Sequence, residues 1–133
     1  MSRITVWFIR SSLAYFGIGV VIGICMVFYP GMTGSLRFIH VHLNLLGWIS
    51  MMIFGVSYHI FPRFSGKQLW SEPLAMWHLI TANMGLIGMA VSYPLRGPAN
   101  SLPDALFIVF SILEAASVFM FLINMFATIR AEV

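Results

Sequence analysis

The sequence predicts an all-α protein, an integral membrane four-helix antiparallel bundle. Of its 133 residues, 60% are hydrophobic and only 8% are charged, whereas about a quarter of the residues in a soluble domain are charged. The mean hydropathy is +0.94. The apolar residues form four stretches, and each is long enough for one membrane-spanning helix, which needs about 20 residues. Four helices and three short loops fill the chain, so residues 1–133 are interpreted as a single transmembrane domain.

Each predicted helix covers one apolar stretch. The four helices are expected at residues about 5–29, 36–61, 73–94 and 104–128. Pro30 is predicted to end the first helix and Pro62 the second, because proline cannot continue a helix. Asp104 stands where a helix cap is favoured. In the first helix, Gly19 and Gly23 form a small-xxx-small pattern that favours close packing against another helix.

The cationic side chains predict the orientation in the membrane. One face of the predicted bundle carries five of them: Arg3, Arg10, Arg63, Lys67 and Arg130. The other face carries Arg37 and Arg96. Because cationic loops stay on the cytoplasmic side, both termini are predicted to be cytoplasmic. The net charge of +3 is too small to suggest a nucleic-acid partner.

Two histidines one residue apart, His40 and His42, stand near the start of the second helix. Residues two apart on a helix differ by about 200° in direction and about 3 Å in height. The two side chains therefore point to nearly opposite sides at one depth. This spacing excludes chelation of one ion by both, which needs i, i+4 spacing on a helix. Neutral imidazole is a good axial ligand for haem iron; the alternative is hydrogen bonding to neighbouring helices.

The segment HVHLNLLGWISMMIFGVSYHIFPRFSGKQLWSEPLAMWHLITANMGLIGM resembles the tenth and eleventh helices of the catalytic subunit I of haem-copper oxidases and related nitric oxide reductases. The shared features are the His-x-His pair, the Phe61-Pro62 and Ser65-Gly66 turn, and a histidine that opens the next helix. YPLRGPANSLPDAL resembles the loop before the twelfth helix. The resemblance covers about residues 36–128, three of the four helices.

The resemblance implies roles for three residues. His40 matches the proximal ligand of the high-spin haem, His42 matches an axial ligand of the low-spin haem, and Arg96 matches an arginine that pairs with haem propionates. Gly97 stands where the family usually has a second arginine. The copper-binding histidines of the family, and the histidine that completes its low-spin haem, lie on helices that this chain lacks.

The resemblance thus implies a small haem-binding membrane protein, like a b-type cytochrome, in the inner membrane of a prokaryote. Its expected role is electron transfer, with quinol or a cytochrome as redox partner. Two alternatives stay open: a haem-based sensor of NO or O2, and an accessory subunit of an oxidase or NO reductase. Whether the chain is an enzyme also stays open. The missing axial ligand is expected from a second copy, in a homo-oligomer.

Four further residues are alternative candidates. Met26 lies at a depth similar to that of the histidine pair. His59 and His78, near the cytoplasmic face, are a second possible haem site, although they match positions that are not ligands in the family. Glu114 lies at mid-bilayer, where an ionised group costs roughly 2.5–3.5 kcal/mol. It is interpreted either as a protonated, hydrogen-bonded carboxyl or as a proton-relay or quinone-site group, with Asn44 nearest in depth.

Overall fold

The computed structural model describes residues 1–99 and 101–129, and every regular element within them is helical. The α-helices are α1 (Arg3–Phe28), α2 (Thr33–His42), α3 (Met51–Phe64), α4 (Glu72–Ser92) and α5 (Leu102–Thr128). Short 3-10 turns occur at Pro30–Met32 and Tyr93–Leu95, and a π-helical segment occupies Leu43–Ser50. The all-α prediction is confirmed. Arg130, which was counted in the charge argument, lies outside the described residues.

These elements form four continuous spans, each long and apolar enough to cross a membrane: Arg3–Phe28, Pro30–Phe64, Glu72–Leu95 and Leu102–Thr128. They are called spans one to four below. Span two begins earlier than predicted, because the turn at Pro30–Met32 leads directly into α2. Many large apolar side chains point outward, such as Val27 and Phe126, which are 74% and 75% exposed. Such a surface is suited to lipid and not to water.

The prediction that Pro62 ends the second helix was wrong, because α3 continues through it to Phe64. Proline removes one N–H donor, and in the last turn of a helix the loss is small. After Phe64 the chain turns out of the helix at Gly66, whose φ of 61° suits a residue without a Cβ. The Gly66 N–H donates to the Arg63 carbonyl at 3.2 Å, and the Lys67 N–H donates to the Pro62 carbonyl at 3.0 Å. These two bonds form a Schellman motif.

The other predicted boundaries hold more closely. α1 ends at Phe28 and Pro30 begins the next turn, as expected. The N-cap of α5 is Ser101 and not Asp104, which lies in the first turn of that helix. A carboxylate in the first turn still favours the helix, because it faces the partial positive charge of the N-terminus.

Glycines mark the antiparallel packing of span two on α1. A Cβ on Gly55 would lie 2.9 Å from the Phe8 Cβ, and a Cβ on Gly23 would lie 3.1 Å from the His40 Cε1. Residue numbers therefore rise along α1 while they fall along span two. The backbones approach this closely only because the glycines have no side chain.

Span four packs on α4 in the same antiparallel manner. The Ser71 N–H donates to Asn124 Oδ1 at 3.1 Å, and Asn124 Nδ2 donates to the Ser71 carbonyl at 2.8 Å. Further along, a Cβ on Gly85 would lie 2.8 Å from the Glu114 backbone nitrogen. The predicted antiparallel four-helix arrangement agrees with these contacts.

Candidate functional site

His40 faces span one. Its Nδ1 lies 2.8 Å from the Gly19 carbonyl oxygen, and its ring packs on Gly23. Asn44, one turn away, donates from Nδ2 to the His40 carbonyl at 2.7 Å. A Cβ on Gly19 would lie 2.7 Å from that same Nδ2. The predicted close contact at Gly19 and Gly23 is therefore confirmed, and the two glycines make room for His40 and Asn44.

His42 faces away from span one and joins a group of rings called here the aromatic stack. Its Nδ1 lies 2.9 Å from the Phe38 carbonyl oxygen, and its ring stacks on Phe38 with centroids 3.9 Å apart. Phe38 stacks on Tyr93 at 3.7 Å, and Phe107 lies 5.6 Å from Phe38. The aromatic stack therefore joins spans two, three and four, and the two imidazoles diverge as helix geometry predicts.

Both histidines are bound to the protein in the same way. A carbonyl oxygen can only accept a hydrogen bond, so Nδ1 of His40 and Nδ1 of His42 must each carry the proton. In a neutral ring the other nitrogen, Nε2, then carries the lone pair. Neither Nε2 has a hydrogen-bond partner among the described residues. An Nδ1–H bonded to a carbonyl, with Nε2 free, is the arrangement that orients a histidine for metal binding.

Arg96 lies at the same end of the bundle as the aromatic stack. Its guanidinium carbon is 4.6 Å from the centre of the Phe107 ring. Its Nη2 lies 2.6 Å from Asp104 Oδ1, and its Nε donates to the same oxygen at 2.7 Å. Arg96 is therefore close to the aromatic stack that surrounds His42. Its charge is already balanced by Asp104, so a propionate would share the guanidinium with this carboxylate.

The π-helical segment Leu43–Ser50 begins directly after His42. Its wider turn shows in the backbone, where the Met51 N–H donates to the Leu46 carbonyl, five residues earlier. The Ser50 hydroxyl also donates five residues back, to the Leu45 carbonyl at 2.8 Å. π-Helical turns are uncommon and occur frequently at functional sites. The π-helical segment therefore marks the end of span two that holds His40 and His42 as a candidate functional site.

His59 and His78 lie toward the opposite end, and no hydrogen bond or ring contact joins them among the described residues. His78 is fully buried, and its Nδ1 pairs with the Tyr58 hydroxyl at 2.9 Å. The rings of Phe8 and Phe54 lie 4.8 Å and 4.7 Å from it. His59 Nε2 instead accepts a hydrogen bond from Arg63. His78 Nε2 is buried without a hydrogen-bond partner within the described residues, and a haem site at these two histidines stays a prediction.

Glu114 is buried against Gly85. Its Oε2 is buried and has no hydrogen-bond partner among the described residues. Its polar neighbour is Tyr15, whose hydroxyl donates to Asn83 at 2.7 Å.

The expectation that Asn44 lies nearest to Glu114 in depth stays a prediction, and no hydrogen bond joins the two side chains within the described part of the chain. The π-helical segment and the glycines of α1 turn the Asn44 side chain toward His40. Met26 is half-buried on α1, about one turn beyond Gly23. No group of three or more His, Cys, Asp or Glu gathers to hold a metal ion within residues 1–99 and 101–129.

Sequence reasoning missed the aromatic stack and the role of Asn44. Both have a signal at helical spacing. Phe38 precedes His42 by four residues and Asn44 follows His40 by four, so each lies one turn from the histidine that it contacts. The contributions of Tyr93 and Phe107 depend on how the spans pack, and no local pattern indicates them.

No protein-family model matches the chain. A 64-residue stretch, 47% of this chain, is 34% identical to a cytochrome c oxidase subunit 1 homolog of Agrobacterium tumefaciens (strain T37) and covers 12% of it. A 49-residue stretch, 36% of the chain, is 41% identical to cytochrome c oxidase subunit 1 of Rhodobacter capsulatus and covers 9% of it. Another 64-residue match, 47% of the chain, is 34% identical to the Cbb3-type cytochrome c oxidase subunit CcoN1 of Stutzerimonas stutzeri and covers 14% of it.

The chain spans only about a tenth of the length of these relatives. The expected resemblance to subunit I of haem-copper oxidases is confirmed for these matched stretches. With four apolar spans and bacterial relatives, the chain is a prokaryotic membrane protein that resembles part of subunit I of the haem-copper oxidases.

Proposed function

We propose that the protein binds haem at the end of the bundle that holds His40 and His42, and that it transfers electrons within the membrane. One observation carries the proposal. Both imidazoles are oriented by an Nδ1 hydrogen bond to a carbonyl oxygen, and both keep Nε2 without a partner. His78 also has a free Nε2, but its ring is fully buried at the other end of the bundle, whereas His40 and His42 are only half-buried.

The residues present suit a non-covalently bound haem of b type. Cys25 is the one cysteine of the chain, so the C-x-x-C-H motif of covalent attachment is absent. His40 and His42 would supply the iron ligands, the aromatic stack would cover the His42 side, and Arg96 would stabilise a propionate by a charge-assisted bond. Haem, when bound, supplies one-electron redox chemistry.

Each iron would receive one ligand from one chain, because His40 and His42 face different neighbours. A second copy, related by a two-fold axis along the membrane normal, would place its own histidines at the same depth. We therefore include a homo-oligomer, in which two chains share the ligands of a haem, in the proposal. The electron donor is proposed to be quinol or a cytochrome.

The first test is an optical spectrum of the purified protein from haem-replete cells, oxidised and dithionite-reduced. A Soret band is expected. The double variant His40→Ala/His42→Ala should lose the band. The matched control, His59→Ala, should keep most of it, because His59 is bonded to Arg63 at the other end of the bundle. Absence of haem from the wild type, or its loss from the control alone, would contradict the proposal.

The same spectra decide between the proposed role and its alternatives. The divergence of the two imidazoles makes a haem-based gas sensor the alternative to consider, since an iron with a single histidine ligand has an open position for NO or O2. A six-coordinate low-spin spectrum supports electron transfer. A five-coordinate spectrum that changes on addition of NO or CO supports a gas-binding protein. Obligate co-purification with another membrane subunit supports an accessory role in an oxidase or reductase.

A further inference from the structure

A cavity lies at the end of the bundle opposite to His40 and His42. It has a volume of about 410 Å³ and is bounded by the start of α1, the end of α3 and the turn into α4. The lining is mixed: Arg63, His59 and Glu72 carry charged or titratable groups, Ser2 adds a hydroxyl, and Ile4 and Leu69 are apolar. Its position is independent of the proposed haem site.

Arg63 and Glu72, which carry opposite charges, line this cavity but do not form an ion pair with each other. The Arg63 guanidinium donates to His59 Nε2, an uncharged acceptor, and forms no ion pair within the described part of the chain. Glu72 has no cationic partner there either. Arg63 and Glu72 therefore line the same cavity without forming an ion pair with each other. Neither charge is neutralised by the other, so both are available to a ligand in the cavity.

The depth of the cavity indicates what reaches it. Span two ends beside it at the Schellman turn, and spans one and three begin there. The layer next to the hydrocarbon holds the lipid headgroups and is about 5–7 Å thick on each side. The apolar side chains Ile4 and Leu69 also line the cavity, so a ligand with an apolar part next to its charged groups suits this lining.

The charges indicate the chemistry of the ligand. A guanidinium matches a phosphate, to which it can donate two parallel hydrogen bonds. A carboxylate matches a primary ammonium group, which has three N–H donors. An ethanolamine phospholipid carries both groups in one headgroup. The choline headgroup has no N–H to donate to Glu72, and the glycerol headgroup has no cation.

From these contacts we propose that the cavity is a binding site for the headgroup of an ethanolamine phospholipid, with the phosphate on Arg63 and the ammonium group on Glu72. His59 takes part by orienting the Arg63 side chain through their hydrogen bond. The bound lipid would join the start of α1 to the turn before α4 and stabilise this end of the bundle.

The test is native mass spectrometry of the delipidated full-length protein with ethanolamine, choline and glycerol phospholipids that have identical acyl chains. The ethanolamine lipid should bind on the order of tenfold more tightly than the other two, because it alone satisfies both charges. Arg63→Gln should weaken binding of both the ethanolamine and the glycerol lipid. Glu72→Gln should remove only the preference for ethanolamine over glycerol.

Arg3→Gln is the matched control, because Arg3 is exposed at the same end but does not line the cavity, and it should leave all three affinities unchanged. Arg63→Lys serves if Arg63→Gln does not fold; it keeps the charge and should retain part of the affinity. Equal binding of the three lipids, or no effect of either cavity variant, overturns the proposal. Displacement of the lipid by phosphoethanolamine or inorganic phosphate at equal concentration would assign the site to a soluble phosphate compound and overturn the assignment to lipid.

Discussion

At the scale of single residues, the pairing of Arg96 with Asp104 changes what a substitution of Arg96 means. The resemblance to oxidases implies that Arg96 pairs with a haem propionate. The structure shows a cation whose charge Asp104 already balances at 2.6 Å. Removing either member leaves the other uncompensated at the end that holds His42, so the two substitutions have opposite electrostatic effects.

We therefore expect Arg96→Leu to lower the midpoint potential of the proposed haem and Asp104→Asn to raise it. An unbalanced carboxylate stabilises the oxidised iron, and an unbalanced guanidinium stabilises the reduced iron. Each shift should be on the order of tens of millivolts for a partly exposed pair. A spectroscopic redox titration measures both. The double variant should return close to the wild-type value, and shifts of the same sign in the two single variants would contradict the contact.

Glu114 gives a second prediction at this scale. No cation contacts its carboxyl among the described residues, and an ionised carboxylate in the bilayer centre costs roughly 2.5–3.5 kcal/mol. The carboxyl should therefore be neutral. Glu114→Gln, which has nearly the same shape, should change the free energy of unfolding by less than about 0.5 kcal/mol. Reversible unfolding in mixed micelles measures this free energy. A decrease of more than about 2 kcal/mol in the variant would show that the carboxylate is ionised and paired.

The site was predictable from sequence only where one helix decides the geometry. The opposite directions of His40 and His42 follow from their spacing, and the structure agrees. The contacts that these side chains make with other helices could not be predicted from the spacing within one helix. Neither the Arg96–Asp104 pair nor the neighbours of Glu114 can be read from hydropathy, because they depend on the register between spans. The family resemblance supplied the expected role of Arg96 but not its carboxylate partner.

At the scale of helices, the seam between α4 and α5 depends on Gly85. A Cβ there would lie 2.8 Å and 2.9 Å from the backbone nitrogen and Cα of Glu114. Backbone atoms cannot rotate aside as a side chain can. The intrinsic preference of helices for alanine, up to about 1 kcal/mol, is therefore opposed by a steric cost that separates the two helices.

Gly85→Ala should lower the free energy of unfolding by about 1–3 kcal/mol, the usual cost of overpacking. Gly17→Ala is the matched control. It adds the same methyl group to a helix, but nothing lies within 4 Å of its Cβ position, so it should be neutral or slightly stabilising. Micellar unfolding curves of the two variants, recorded side by side, test the difference. Equal stability of both variants would mean that α4 and α5 are not packed at this distance.

Helix number and order were predictable because four apolar stretches interrupted by prolines leave little choice. The exact ends were less predictable. Pro62 was expected to stop a helix that continues to Phe64, since a proline in the last turn loses only one hydrogen bond. The decisive residue is Gly66, whose positive φ allows the Schellman bonds. The π-helical segment had no sequence signal that we can identify.

At the scale of the whole molecule, the proposed haem site requires more than one chain. His40 and His42 face different neighbours, and a single bundle cannot enclose a haem on both sides of span two. Co-expression of wild-type chains with differently tagged chains that lack both histidines tests this. Mixed oligomers should hold less haem per wild-type chain than pure wild-type oligomers, because the second ligand is missing. Full haem on every wild-type chain, or a monomer with six-coordinate haem, would contradict a shared site.

The two sides of span two are built from separate sets of residues. Gly19, Gly23 and Asn44 hold the His40 side, while the aromatic stack holds the His42 side, and no side chain belongs to both. A lineage can therefore lose one histidine and its neighbours by drift while the other stays under selection. Descendants of such a chain would be expected to fall into classes that keep His40 with its glycines or His42 with its rings, and to change each set together.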